Sequence, residues 1–385
     1  MYYNEIQQTA VPVSKTFNPA VHEQSRSFLV HDFSFIPRSA KKGRTNTATE
    51  LVMEFLEIAE QHEQLSPKTL MQYRSHLQLF LDIWPLDDLN ELDRENAEMV
   101  LRLLYKMPKN PSKNRALARY KGIDLLKQNN IVGGEVISRR TVQKIISLLS
   151  TFFNWVKSRG YVSENPFYRL KVRKALSTDK RYQLSSDDLT LVFNMKDYQK
   201  GSFLHSYYYW LPLLLRFTGA RLNELCQLYK ADLVLQDDIW GLSFTTRSDE
   251  QRIKNCNSIR FVPLHPALLS RGFVEFVQSR NSDRVFSELP LVNGYYSHNA
   301  SKWFARRRSQ LGLGKGRDAH SFRHTFVDDL KQNGVAIELI QELVGHSSNT
   351  VTTNVYSRSY RPQMLLTAIT KISDAHVSNI QPYKN

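Results

Sequence analysis

Side chains that can bind a phosphate or move a proton are concentrated in four short segments of the C-terminal half of this 385-residue chain. In the first segment, residues 218–225, Arg221 follows a Thr-Gly turn and begins a helical pattern. Its planar guanidinium could bind a phosphate while Glu224, three residues later, holds it or balances its charge. When the segment is considered alone, a surface Arg–Glu pair at a helix start is the better explanation.

The second segment, residues 252–260, lies at the turn between two runs of β-branched and aromatic residues. A lysine on such a turn can extend as a mobile proton donor, and Lys254 is the candidate, with Arg252 as its rival. Because exposed lysines are common on turns, this segment alone is a weak signal.

The third segment combines a titratable group with a fixed cation. His320 and Arg323 are three residues apart and therefore share one helical face, whereas the opposite face is apolar. The apolar positions are Phe322, Phe326 and Leu330. His324 is offset from the first pair, and we expect it to have a structural or supporting role.

In the fourth segment His346 follows Gly345, which is suited to end a helix, and Tyr356 lies ten residues further on. A single tyrosine among 18 is usually a core or surface residue, so Tyr356 becomes a candidate nucleophile only in combination with the other segments.

The three histidines of these segments do not form a metal-binding pattern. No HExxH motif or paired carboxylate accompanies them, and Arg323 lies between His320 and His324. We therefore predict no catalytic metal.

The elements that must position these residues are predominantly helical. In the N-terminal half, apolar positions at helical spacing begin near residue 49, after Ser66-Pro67 and near Arg140, and they predict a helical bundle. In the C-terminal half, residues 239–245 and 258–264 predict an antiparallel hairpin.

Helical patterns fill most of the rest of the C-terminal half, where Ser186 or Asp187 is the expected cap of the first helix. The predicted fold class is therefore mainly α. It consists of a helical-bundle domain followed by an α+β domain that is mostly helical and carries a small antiparallel sheet.

Positive charge is concentrated in the middle of the chain. The whole chain carries 52 Lys+Arg and 37 Asp+Glu, a net charge of +15, and residues 101–182 alone contain 19 basic and 4 acidic side chains. This excess predicts a surface for a polyanion, with nucleic acid as the favoured partner and a solvated basic surface as the alternative. Cations at a helix start also oppose the helix dipole, which favours an external phosphate there. The candidate DNA-binding residues are Lys113, Arg115, Arg119, Lys121, Arg139, Arg140, Lys144, Arg173 and Lys174.

Composition excludes several protein classes. Two cysteines, Cys226 and Cys256, cannot form a disulfide framework or a four-ligand zinc site, which fits a reducing cytosol. Apolar runs are too short to span a bilayer, and the N-terminus does not resemble a signal peptide. We therefore expect a cytoplasmic protein that has no membrane partner.

In their order along the chain, the four segments resemble the catalytic set of the tyrosine recombinase (phage integrase) family. The matching residues are Arg221, Lys254, His320-x-x-Arg323, His346 and Tyr356. The surrounding Gly-Ala-Arg-Leu-x-Glu-Leu, Val-Pro-Leu-His and Gly-His-Ser sequences are also similar to the family, although Val344 stands where leucine is usual. Upstream, residues 66–70 and 141–167 resemble its core-binding domain, so that the resemblance covers about residues 45–365.

The resemblance implies a role for each residue of the set. Tyr356 would attack a DNA phosphodiester and form a 3′-phosphotyrosyl bond, so that rejoining needs neither ATP nor a metal, and no cofactor is implied. Arg221 and Arg323 would clamp the non-bridging oxygens. His320 would act as the base, His346 as a further hydrogen-bond donor, and Lys254 would protonate the departing 5′ oxygen.

The resemblance also implies a domain organisation. Residues 1–44 match no known element and are left as an arm-binding or interaction segment. Residues 45–168 would form the helical core-binding (SAM-like) domain, 169–182 a basic linker and 183–360 the catalytic domain. The C-terminal helix and tail, 361–385, would pack either on a neighbouring protomer or on their own domain.

The function implied is that of a site-specific recombinase, the integrase or excisionase of a mobile element, acting in the nucleoid of a bacterium or on phage DNA. Its partners would be double-stranded DNA with specific core sites and three further copies of itself, which together exchange strands through a Holliday junction. A directionality factor or a host DNA-bending protein could act with it. The alternatives are a Xer-like chromosome or plasmid dimer resolvase, a topoisomerase-like relaxing enzyme, and a catalytically silent DNA-binding regulator on the same scaffold.

Overall fold

A computed structural model describes residues 47–61, 65–84, 87–173, 182–253, 258–346 and 359–384. The chain divides into two compact units, Met1–Leu176 and Ser177–Asn385. Both units are mainly helical, and the second also contains a small antiparallel sheet, which confirms the predicted fold class.

The N-terminal unit is a helical bundle. Its α-helices are α1 Ala48–Gln61, α2 Pro67–Ile83, α3 Arg94–Lys106, α4 Gly122–Val132 and α5 Arg139–Ser158. The hydroxyls of Ser66 and Ser138 cap α2 and α5 by accepting the N–H groups of Thr69 and Thr141, each at 3.2 Å. The apolar stripe of α5 is buried in the bundle core, where for example Phe153 contacts Phe80 edge-on.

The C-terminal unit is built around a buried helix. Its α-helices are α6 Ser186–Phe193, α7 Lys196–Lys200, α8 Ser206–Thr218, α9 Leu222–Cys226, α10 Pro266–Leu269, α11 Phe273–Gln278, α12 Ser297–Gln310, α13 Ser321–Gln332, α14 Ile337–Val344 and α15 Pro362–Ile369. Nearly every residue of α8 is buried, and α13 packs against it through Phe322 and Phe326. Ser185 caps α6, because its side chain forms a reciprocal capping box with Asp188. The predicted caps, Ser186 and Asp187, lie one and two residues later.

The sheet has three antiparallel strands in the order β1-β2-β3. They are β1 Leu233–Gln236, β2 Ile239–Phe244 and β3 Arg260–Pro263. The predicted hairpin corresponds to β2 and β3, which pair Leu242 with Val262. Strand β1 was not predicted. It joins β2 through Asp237 and Asp238, both with positive φ, and aspartate is less typical of such a two-residue turn than Asn-Gly or Asp-Gly.

The C-terminal helix α15 packs on its own unit. Leu365, Ala368 and Ile369 are buried in the core that surrounds α8, and α15 contacts β3 and α14. Within the described residues, no helix combines the length and the apolar character needed to cross a bilayer.

Candidate active site

The first predicted segment places Arg221 between two helices. Helix α8 ends at Gly219, which has a φ of +60°, and Arg221 is the residue from which α9 starts. The Glu224 carboxylate accepts the Arg221 backbone N–H at 2.9 Å and its Nη1 at 2.6 Å. Because the Glu224 side chain is only 4% exposed, this is not the surface Arg–Glu pair that the segment alone favoured.

A second arginine, Arg260 at the start of β3, binds the same carboxylate. Its Nη2 donates to Glu224 Oε2 at 2.7 Å, and its Nη1 donates to the Ser258 carbonyl at 2.8 Å. Ser258 in turn accepts Arg221 Nη1 through its hydroxyl at 3.2 Å. The loop that leads into β3 is thereby joined to the start of α9.

Arg323 is buried beside these two arginines. It is 3% exposed, and its guanidinium donates to the carbonyls of Gly219, at 2.9 Å, and Val344. Burial, together with the positive charges of Arg221 and Arg260, lowers the pKa of Arg323 to about 9, although the carboxylate of Glu224 acts in the opposite direction. The cluster formed by Arg221, Arg260, Arg323 and Glu224, here called the arginine cluster, thus contains three guanidinium groups and one carboxylate.

The predicted histidines lie on the elements that carry Arg323 and Val344. His320 is half-buried at the start of α13, where its backbone N–H donates to Asp318 at 2.8 Å. Its ring lies 5.0 Å from that of His324, edge to face. His346 is exposed and follows Gly345, whose φ of +65° ends α14.

Two predicted catalytic residues, Lys254 and Tyr356, lie outside the described residues, as do Lys174 and residues 1–44. Arg252, the rival of Lys254, is described and exposed. Its backbone N–H and C=O are both bound, at 3.1 Å each, by the side-chain amide of the buried Gln227.

The remaining DNA-binding candidates lie in the N-terminal unit, where all of them are exposed on the surface and none is part of the hydrophobic core. They are Lys113, Arg115, Arg119, Lys121, Arg139, Arg140, Lys144 and Arg173. Arg139 and Arg140 begin α5 immediately after its cap.

Arg260 was not predicted as a site residue. The sequence nevertheless contained a signal. Arg260 and Val262 are two positions apart in a strand, so their side chains lie on the same, inward face of the sheet. A charged residue at an inward position is rare unless it is paired. Gln227 had no such signal, because its burial follows from the position of α9.

The charge and the donor groups of the arginine cluster are those that suit a tetrahedral anion. Three cations held around one carboxylate leave a positive excess in a site of low exposure, where electrostatic interactions are stronger than in water. A phosphate would offset this excess, and the fork-shaped guanidinium groups of Arg221 and Arg323 match its oxygens. Within the described ranges, no group of three or more His, Cys, Asp or Glu residues could hold a metal ion.

Comparisons with known proteins identify a family and several relatives. The model of the phage integrase family matches residues 184–362. A tyrosine recombinase of Thermosipho africanus is 23% identical over 309 residues, which cover 80% of this chain and 93% of the relative. Tyrosine recombinase XerC of Oceanobacillus iheyensis is 24% identical over 308 residues, which cover 79% of this chain and 89% of the relative.

Two solved structures are similar in fold. The Tn1549 transposon integrase in complex with a circular intermediate DNA aligns with a TM-score of 0.57 at 19% identity, over 82% of this chain and 96% of that one. A lambda integrase tetramer bound to a Holliday junction aligns with a TM-score of 0.55 at 17% identity, over 89% of this chain and 90% of that one.

Proposed function

The chain belongs to the phage integrase family of tyrosine recombinases, and on this premise we propose that it cuts and rejoins double-stranded DNA at specific sites through a covalent 3′-phosphotyrosyl intermediate. The observation that carries the proposal is the arginine cluster. Its two family-pattern arginines, Arg221 and Arg323, come from segments about a hundred residues apart. Arg323 nevertheless donates to the carbonyl of Gly219, two residues before Arg221, and the charge of Arg221 lowers the pKa of Arg323.

The cluster supplies what phosphoryl transfer needs from a protein without a metal. Negative charge builds up on the non-bridging oxygens as the tyrosine attacks, and fixed donors stabilise that charge without reorganising. Arg221 and Arg323 are such donors, because each is held by protein groups before any substrate binds. Removing one donor of this kind typically costs about 3 to 4 kcal/mol, or roughly 10²- to 10³-fold in rate.

We assign the proton transfers from the family pattern. Tyr356 is the nucleophile, and since a phenol has an ordinary pKa of about 10, it must lose its proton as attack proceeds. His320 is the base, on the same helix as Arg323. His346 supplies another hydrogen bond to the phosphate, and Lys254 protonates the 5′ oxygen that departs. Resealing reverses these steps and uses the energy stored in the phosphotyrosyl bond.

The two units then have separate tasks. The N-terminal unit would be the core-binding domain, with its exposed basic residues on the DNA backbone, residues 169–182 the linker, and the C-terminal unit the catalytic domain. The tetrameric assembly of the lambda integrase on its junction supports four copies of this chain acting together on two sites. We place the reaction on DNA of the bacterial nucleoid or of a phage, with a mobile element as the substrate.

Covalent capture tests the proposal without knowledge of the target sequence. The full chain is incubated with a pool of nicked suicide duplexes whose central segment is randomised, and DNA that stays attached to denatured protein is sequenced. We expect attached DNA that shares a core sequence. Recovery of a shared sequence by non-covalent binding alone, with no attached DNA, would indicate a silent regulator. Attachment without sequence preference would indicate a topoisomerase-like enzyme.

Variants identify the residues. Tyr356→Phe should bind the selected duplex and form no adduct. Tyr360→Phe, which removes the hydroxyl of the tyrosine four residues further on, is the control and should form the adduct normally. Arg221→Ala and Arg323→Ala should each slow single-turnover attachment roughly 10²- to 10³-fold while binding persists. An adduct in Tyr356→Phe would reject the nucleophile, and a normal rate in either arginine variant would reject the clamp.

A further inference from the structure

We propose that Arg260 is a positioning residue for this reaction, because one buried guanidinium ties together the segments that carry Arg221 and His346. The inference rests on the proposed function for its consequence in catalysis. The contacts that carry it belong to the described residues alone.

Each nitrogen of the Arg260 guanidinium binds a different chain segment. Nη2 binds the Glu224 carboxylate of α9, Nη1 binds the Ser258 carbonyl before β3, and Nε binds the Leu343 carbonyl in α14 at 2.8 Å. Glu224 and Ser258 both hold Arg221 Nη1. The orientation of Arg221 therefore depends on where Arg260 holds these two partners.

Arg260 and Arg323 together hold the end of α14. The last carbonyls of a helix have no partner within the helix, and they must be satisfied from outside. Here Arg260 binds the Leu343 carbonyl and Arg323 binds the next one, that of Val344. His346 comes two residues later, with its N–H on the Gln341 carbonyl at 2.9 Å. The two arginines thus fix the point from which the chain leaves α14 towards His346.

Arg260 is not placed to bind the phosphate itself. All three of its nitrogens have protein partners, and its guanidinium carbon lies 4.3 Å from the centre of the Phe244 ring. A lysine would keep the charge, but its compact ammonium cannot reproduce the planar fork that reaches three segments. Arg260→Lys is therefore the informative substitution, because it separates positioning from charge.

Arg271→Lys is the matched control. Arg271 is also buried in the C-terminal unit, and its guanidinium binds the backbone carbonyls of Ala267, at 2.7 Å, and Val377. It ties α10 to the C-terminal tail rather than to α9 and α14. Loss of a buried arginine should affect global stability in both variants, whereas loss of positioning should be specific to Arg260.

The first measurement is hydrogen exchange by mass spectrometry on the full chain without DNA. In Arg260→Lys we expect peptides covering residues 219–226 and 340–346 to exchange about tenfold faster than in the wild type, while the same peptides are unchanged in Arg271→Lys. If Arg260→Lys does not fold, Arg260→Gln, which keeps one amide donor, takes its place. Unchanged exchange in both peptides would overturn the inference whether or not the protein cuts DNA.

The second measurement is single-turnover attachment to the selected suicide duplex at saturating protein. Because a misplacement of about 1 Å can cost roughly 10² in rate, we expect Arg260→Lys to be about 10²-fold slower with DNA affinity near that of the wild type. Arg271→Lys should keep the wild-type rate. A wild-type rate in folded Arg260→Lys would overturn the inference and leave the proposed function intact, whereas no adduct with wild-type protein would count against the proposed function alone.

Discussion

Glu224→Gln is the substitution that tests the arginine cluster most directly. Glu224 is the carboxylate that Arg221 and Arg260 share, and it accepts the Arg221 backbone N–H as well. The amide has nearly the same shape as the carboxylate. The change therefore removes the negative charge and leaves the size of the side chain almost unaltered.

The expected loss of stability is large. Removing one partner of a buried ion pair typically costs about 3 to 5 kcal/mol, because the remaining charge stays buried without compensation. Here two hydrogen-bonded guanidiniums and the nearby Arg323 lose the same counter-charge, so we expect a loss of at least about 3 kcal/mol. A domain is stable by only about 5 to 15 kcal/mol in total.

Urea unfolding of the full chain at pH 7 measures this loss, with the transition of the C-terminal unit assigned by hydrogen exchange of α8 peptides. Glu338→Gln, an exposed position in α14, is the control, and we expect it to change stability by less than about 1 kcal/mol. Added sulfate should restore part of the stability of Glu224→Gln, because a bound anion replaces the missing charge. A loss in Glu224→Gln no larger than in the control would refute the electrostatic account of the cluster.

Three other predictions concern stability. Gly219→Ala should lower the free energy of unfolding in urea by at least about 2 kcal/mol more than Gly201→Ala does. Both glycines have a φ of +60°, but only at Gly219 would a new Cβ lie 2.4 Å from the Phe326 ring. Equal losses in the two variants would contradict this prediction. Burial raises the pKa of Glu224, but Arg260 and Arg221 lower it to below its usual 4.5. The wild type should therefore have its full stability advantage over Glu224→Gln above about pH 4.5, and this advantage should shrink as the pH falls through the lowered pKa. Urea unfolding midpoints of the wild type and Glu224→Gln at pH 7 and pH 3 check the sign of this dependence. A difference in stability that grows at pH 3 would contradict this mechanism. Ser138→Ala removes the cap of α5 and should lower the stability of the N-terminal unit by about 1 kcal/mol, with no change in the urea midpoint speaking against the cap.

Local structure was largely determined by the sequence itself. Caps such as Ser66 and Ser138, the apolar stripe of α5 and the β-branched and aromatic runs of β2 and β3 depend on residues only a few positions apart. Their physical causes, capping hydrogen bonds and burial at a helical or strand period, can be read from neighbouring residues. Strand β1 was missed because its four residues are half exposed and its turn is made by two aspartates.

The arrangement of the site was decided by tertiary structure. The sequence pattern indicated which residues act, but Glu224 read as part of a surface pair and Arg260 did not stand out. Arg260 is hydrogen-bonded to Leu343, 83 residues away, and Arg323 to Gly219, 104 residues away. No local pattern encodes such contacts, because they exist only once α9, α13, α14 and β3 pack together in one core. That packing brings three positive charges around one buried carboxylate.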